Sequence, residues 1–153
     1  MIHPSFIVKV KNSLLSFVQY GCVIHCFFEH IAELAICVGP SMEPTLSSND
    51  VIVTEHLSPM FKKFNYGDIV VSKSLNNPKE FVCKRIIGLP GDRIYFNKIQ
   101  IVPNGYVWLE GDNRENSTDS REYGPVPQGL ITGRVICKIW PLKEVMMLTV
   151  KSK

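Results

Sequence analysis

A serine set between two prolines, a lysine among apolar residues and a short polar run near residue 117 are the parts of this 153-residue chain whose types and spacing suit chemistry. The serine is Ser41, in Gly39-Pro40-Ser41-Met42-Glu43-Pro44-Thr45-Leu46. Pro40 fixes its own φ and biases Gly39 toward extended geometry, and Pro44 does the same to Glu43. Such a segment presents its serine rigidly. A surface turn is the plainer reading, because Gly, Pro and Ser are the ordinary turn residues.

A serine hydroxyl is a poor nucleophile until a base takes its proton. A lysine serves as that base only when neutral, so its pKa of about 10.4 must fall by roughly 3 units, a bias of some 4 kcal/mol against the charged form. Burial among apolar side chains supplies such a bias. If residues 81 to 87 form a strand, Lys84 shares its face with Val82 and Ile86, while Arg85 points the other way beside Cys83 and Ile87. Arg85 is excluded as a base because a guanidinium does not deprotonate in proteins. Lys73, on the Ile69/Val71 face of another expected strand, is a rival on the same physics, and His56 offers an imidazole. Neither a G-x-S-x-G elbow nor an S-x-x-K motif occurs.

Taken in order, Gly39 to Leu46, the run Cys83-Lys84-Arg85-Ile86-Ile87-Gly88-Leu89-Pro90-Gly91-Asp92 and the run Gly111 to Arg121 resemble the type I signal peptidase family of membrane-bound serine proteases. The resemblance implies a Ser41/Lys84 catalytic dyad and so selects Lys84 over Lys73. It also implies that Ser117 orients the lysine amine and that Asp119 and Arg121 form a structural ion pair beside the site. Without it, residues 111 to 121 read as a polar loop with a weak surface pair. Some family members place an oxyanion-donating hydroxyl two positions before the nucleophile, where this chain has Gly39. The Ser41 N–H is a candidate donor, Pro40 has none, and the second donor is unassigned. Endoplasmic-reticulum relatives carry histidine where Lys84 stands, and His56 lies far from that position.

Within the family the similarity is to the mitochondrial inner-membrane branch. It extends from Gln19-Tyr20-Gly21-Cys22 and His25-Cys26 through Val107-Trp108-Leu109-Glu110-Gly111-Asp112-Asn113 to Tyr123-Gly124-Pro125. Arg121 favours one of the branch's two sister subunits, the other of which carries asparagine there. What this implies is a serine endopeptidase that removes sorting or signal peptides from precursor polypeptides through an acyl-enzyme. It would be single-pass in the inner membrane, with its catalytic domain in the intermembrane space, heterodimerised with the sister subunit and using no cofactor. Asn116-Ser117-Thr118 is a glycosylation sequon, expected to be unused because a glycan would sit on the site. The second reading is a non-catalytic membrane-tethered β-domain that binds a partner subunit of a protease complex.

The elements that must position these residues follow from the pattern. Residues 1–12 form an N-terminal tail with Lys9 and Lys11, and 13–38 an apolar stretch long enough for one transmembrane helix, which needs about 20 residues. The basic start places the N-terminus on the cytosol-like side. His25, Glu29, His30 and Glu33 make the span impure, and Glu29 and Glu33, four apart, would share a helix face toward a partner. A cleaved secretory signal is the alternative, but no small-x-small site precedes Ser41.

Residues 39–145 are read as the catalytic β domain and 146–153 as a C-terminal tail. Short strands are expected at 50–54, 69–73, 81–87, 93–96, 99–102, 106–109 and 131–140, the last interrupted by Gly133, with turns at Gly67-Asp68, Asn76-Asn77-Pro78 and Asn104-Gly105. Residues through Ser58-Pro59 are read as a loop. The fold class is therefore mainly β, a signal-peptidase-like antiparallel barrel or sandwich behind one N-terminal helix.

A net charge of +3 is too weak and dispersed for nucleic-acid binding. The five cysteines are an odd number with no C-x-x-C pair, so no disulfide framework is suggested. Cys22, His25 and Cys26 share a helix face, but packing of small side chains suits them better than metal binding.

Overall fold

The computed structural model describes residues 4–96 and 98–148 and divides the chain into two compact units, Met1–Ala32 and Glu33–Lys153. The first unit is the helix α1, Pro4–His30. Leu14, Phe17, Val18, Tyr20, Val23 and Ile24 are all exposed along it, so its apolar residues have no core of their own. Among the described residues no helix is long and apolar enough to cross a membrane. The transmembrane helix expected over 13–38 is therefore not shown, its apolar run being interrupted by Ser13, Ser16, Gln19 and His25. The side chains of residues 26–30, which include Cys26 and Glu29, and residues 149–153 of the expected tail lie outside the described residues.

Residues 32–36, near the end of the expected helix, form a strand instead, β1, Ala32–Ile36. The mostly apolar run Ala-Glu-Leu-Ala-Ile suits either conformation, and neighbours decide. The Cys37 N–H donates to the Asp50 carbonyl at 2.8 Å, the Asn49 N–H to the Cys37 carbonyl at 2.9 Å, and the Thr54 hydroxyl to the Glu33 carbonyl at 3.3 Å. Glu33 thus stands on a strand rather than on a helix face with Glu29.

The remaining strands are β2 (Val51–Glu55), β3 (Ile69–Lys73), β4 (Phe81–Gly88), β5 (Arg93–Phe96), β6 (Lys98–Ile101), β7 (Tyr106–Glu110), β8 (Val126–Pro127), β9 (Ile131–Trp140) and β10 (Met146–Met147). One sheet runs β1-β2-β9-β3-β4-β7-β8, with β10 added to β9, and β5 and β6 pair as a separate hairpin. The pairings of β2 through β10 are antiparallel. The architecture is the mainly β antiparallel sheet that was expected, and among the described residues its strand path does not close into a barrel.

Strand β9 pairs with β2, β3 and β10, so Gly133 does not interrupt it: Gly133 faces Val71, and a β-carbon there would meet the Thr54 side chain at 3.1 Å. Two short helices appear where loops were expected, α2 (Leu57–Phe61) and α3 (Ser120–Tyr123). The expected tail contributes β10 to the sheet.

Period-two alternation sends neighbouring residues to opposite faces. In β3, Ile69 enters a core with Met42, Leu46, Ile52, Val135 and Leu148, while Val70 enters a second with Ile86, Val107, Leu109, Val126 and Ile131. Burying each such side chain contributes roughly 1.5–3 kcal/mol. The first core therefore anchors the serine turn, because Met42 and Leu46 belong to it.

Candidate active site

Ser41 sits in the loop between β1 and β2. The Glu43 N–H donates to the Pro40 carbonyl at 3.1 Å and the Leu46 N–H to the Met42 carbonyl at 2.9 Å, winding the segment into consecutive turns. Gly39 has φ +94°, in the region that favours glycine, and its N–H donates to the Ser48 hydroxyl at 3.0 Å. With its apolar residues in the core and its backbone tied locally, the turn holds Ser41 half-buried. Among the described residues the Ser41 N–H donates no hydrogen bond, which leaves it open as the oxyanion donor.

Lys84 lies on β4, between β3 and β7, paired across from Val70. It shares its face with buried Ile86, as the strand phase requires, and is itself only 3% exposed. Among the described residues no hydrogen bond or ion pair holds its amine. Burial lowers its pKa, opposed by the attraction of Asp119 and, less, of Cys83, and assisted weakly by Arg121. The rival Lys73 ends β3 opposite Phe81 and is exposed. Its side chain is left in water.

Asp119 is fully buried and organises the third motif. Its Oδ2 accepts from the Ser117 hydroxyl at 2.7 Å, the Gly111 N–H at 2.8 Å and Arg121 Nη2 at 2.7 Å, and its Oδ1 accepts from Arg121 Nε at 2.8 Å. Although burial alone raises its pKa, these donors outweigh it and bring the carboxyl down to about 2. The pair with Arg121, whose side chain is 11% exposed, is a buried bidentate ion pair and not a weak surface one. The Ser120 hydroxyl accepts from the Leu109 N–H at 2.9 Å, fastening this segment to β7.

Gly111, just past β7, is where the motifs meet. A β-carbon there would collide with the Ser117 hydroxyl and lie 2.5 Å from the Ser41 carbonyl oxygen. Two residues on, the Asn113 N–H donates to that carbonyl at 3.1 Å. The backbone of Ser41, the side chain of Ser117 and the Asp119/Arg121 pair thus converge on one glycine, with Lys84 within their electrostatic reach.

The family model described as signal peptidase, peptidase S26, matches residues 10–101 and 95–140. The chain is 52% identical over 134 residues to mitochondrial inner membrane protease subunit 1 of Homo sapiens, covering 83% of this chain and 81% of that one. It is 39% identical over 122 residues to mitochondrial inner membrane protease subunit 2 of Danio rerio, covering 74% and 67%. A crystal structure of a signal peptidase I from Enterococcus faecalis V583 is 26% identical, with a TM-score of 0.39 over 47% of this chain and 96% of that one. The chain belongs to the signal peptidase family.

Signal peptidase chemistry needs a place for the peptide, and sequence reasoning did not find one. The structure has an apolar cleft of about 220 Å³ between the β1 side (Ala35 to Val38) and the start of β4 (Phe81 to Cys83), with Ser41 on its wall. Cys37 and Cys83 face into it as free thiols, their pKa values pushed up by burial to about 11 and about 12. Their assembly from distant segments left no local signal.

Arg85 was dismissed as a base but braces the serine turn. Its Nε and Nη2 donate to the two Asp112 oxygens at 2.8 and 2.6 Å, its Nη1 to the Gly67 carbonyl at 2.9 Å and its Nη2 to the Thr45 hydroxyl at 3.5 Å. It thereby ties the serine turn, β4 and the loop after β7 together. Arg85 is in the middle of β4 and Asp112 two residues past the end of β7, so no local pattern in the sequence marks the pair. His56, by contrast, is the residue preceding α2, with Nδ1 2.7 Å from the Thr132 carbonyl, and is not on the wall that carries Ser41.

Proposed function

We propose that this chain is a serine endopeptidase that cleaves sorting or signal peptides from precursor polypeptides, with Ser41 as nucleophile and Lys84 as general base. The observation that carries the reading is a buried, unpaired lysine of lowered pKa on β4, one residue beyond the Val82-Cys83 wall of the cleft that Ser41 also lines. The neutral Lys84 amine takes the Ser41 proton as the oxygen attacks the scissile carbonyl. The resulting ammonium returns a proton to the departing amine, leaving an acyl-enzyme. Lys84 then deprotonates the water that releases the acyl group. Ser117, held by Asp119, orients the amine, and Arg121 keeps Asp119 ionised.

The relatives carrying the names of mitochondrial inner membrane protease subunits support the setting. The site works at the inner mitochondrial membrane, on its intermembrane-space side, as a heterodimer with a sister subunit. Helix α1, with its exposed apolar residues behind Lys9 and Lys11, is the tether.

The test is cleavage of an intermediate precursor by membranes carrying wild type, Ser41→Ala or Lys84→Arg chains at equal abundance. Cleavage by wild type alone is expected; wild-type rates in either variant would remove the dyad.

A further inference from the structure

Beyond the cleft beside Ser41 lies a second cavity of about 370 Å³, and the two share Ala35, Ile36, Val71 and Phe81 as walls. They are two stretches of one groove along β1. The far stretch differs chemically from the near one: it ends in Glu33 and His56, with Thr54 and Thr132. Both hydroxyls are spent, Thr54 on the Glu33 carbonyl at 3.3 Å and Thr132 on the Val71 carbonyl at 3.2 Å. His56 Nδ1 faces the Thr132 carbonyl at 2.7 Å, and since a carbonyl only accepts, that nitrogen carries the proton. The ring's Nε2 lies 3.6 Å from Glu33 Oε2, an ion pair when the ring carries a second proton.

What remains for a ligand is the Glu33 carboxylate beside the His56 ring, and Glu33 is the only carboxylate, lysine or arginine among the described residues lining the cavity. Its side chain is 63% exposed, so the charge is available to an incoming group.

We infer that Glu33 and His56 form a subsite for a basic side chain of the substrate, selecting lysine or arginine over an acidic residue. This rests on the reading of Ser41 as the centre of a peptide-cleaving groove. Glu33 lies four residues before Cys37 on the wall that reaches the Ser41 cleft, and an extended peptide advances about 3.3 Å per residue with alternate side chains on one face. The basic residue therefore sits about two to four positions from the one seated beside Ser41.

Binding to the Ser41→Ala chain, in its complex with the sister subunit, tests the subsite without requiring catalysis. Fluorescent peptides derived from one cleavage site carry lysine, glutamine or glutamate at each position two to four residues on either side of the scissile bond, and anisotropy reads their affinity. At one position lysine is expected to bind about fivefold more tightly than glutamine, and glutamate more weakly still. Glu33→Gln should bring the three together and Glu33→Lys should reverse their order. Equal affinities at every position, or an order that survives Glu33→Gln, overturns the inference. Cleavage of the same peptides by wild type reads the catalytic proposal separately: failure to cleave with the charge order intact sinks that reading and not the basic subsite.

Discussion

At the scale of single residues the site rests on two buried ionisable groups with opposite requirements. Lys84 is useful only neutral, and burial pushes its pKa down. Its base form accumulates as pH rises through that lowered value, so kcat/KM for peptide cleavage should climb with pH and level off above it. The same shift couples to stability. Between the lowered value and the ordinary 10.5 the unfolded chain holds a proton that the folded chain has released, so stability should rise with pH across that window. Lys84→Met keeps the shape and removes the buried amine: cleavage should fall by about three orders of magnitude or more while Tm stays level or rises. A Tm drop would mean that the amine has a structural partner.

Asp119 requires its charge. Its pKa falls from 3.8 to about 2 on folding, so its stabilising contribution is complete above the unfolded value and is lost as pH drops from there toward 2. Asp119→Ala leaves Arg121 buried and unpaired, and urea unfolding at neutral pH should show a loss of about 3–5 kcal/mol. An unchanged urea midpoint would return the pair to the status of a surface contact.

At the scale of elements, the site depends on how closely the end of β7 approaches the serine turn. Gly111→Ala puts a methyl group against the Ser117 side chain and the Ser41 carbonyl, and the latter is backbone that cannot rotate away. Stability should fall by about 1–3 kcal/mol, the usual cost of overpacking. On the proposed mechanism cleavage should fall much further than that loss explains, because Ser41 and Ser117, its proposed nucleophile and orienting hydroxyl, are both displaced. Gly129→Ala, with nothing within 4 Å, is the matched control and should change neither thermal midpoint nor rate. Most strands were legible: 69–73 and 131–140 follow from β-branched runs bounded by Gly, Pro and Asn. Strand β1 was not, because its pentapeptide continues the apolar helix in composition and only β2 identifies it as sheet.

For the whole molecule, the boundary between the two units changes what a truncation does. A chain starting at residue 31 keeps β1 and should fold with the thermal midpoint of the full protein while losing its sedimentation with liposomes of inner-membrane lipids. A chain starting at residue 39, the boundary composition suggested, removes β1, the Cys37 hydrogen bonds to residues 49 and 50 and one wall of the cleft. It should melt lower and cleave no peptide. Equal melting of the two truncations would show that β1 contributes nothing to the sheet.

Taken alone, the sequence determined that Ser41 is held in a turn of restricted backbone and that Lys84 and Arg85 point to opposite faces of one strand. Both follow from short-range rules, proline's fixed φ and the period of two, that need no distant partner. Burial is not such a rule. Lys73 and Lys84 occupy equivalent local patterns, and only the placement of β4 between β3 and β7 covers one amine while the end of β3 leaves the other in water. The same holds for Arg85 with Asp112, for the groove along β1 and for the glycine on which three motifs converge. Each depends on which segments lie side by side, and that is settled by packing across many residues rather than by any one stretch of chain.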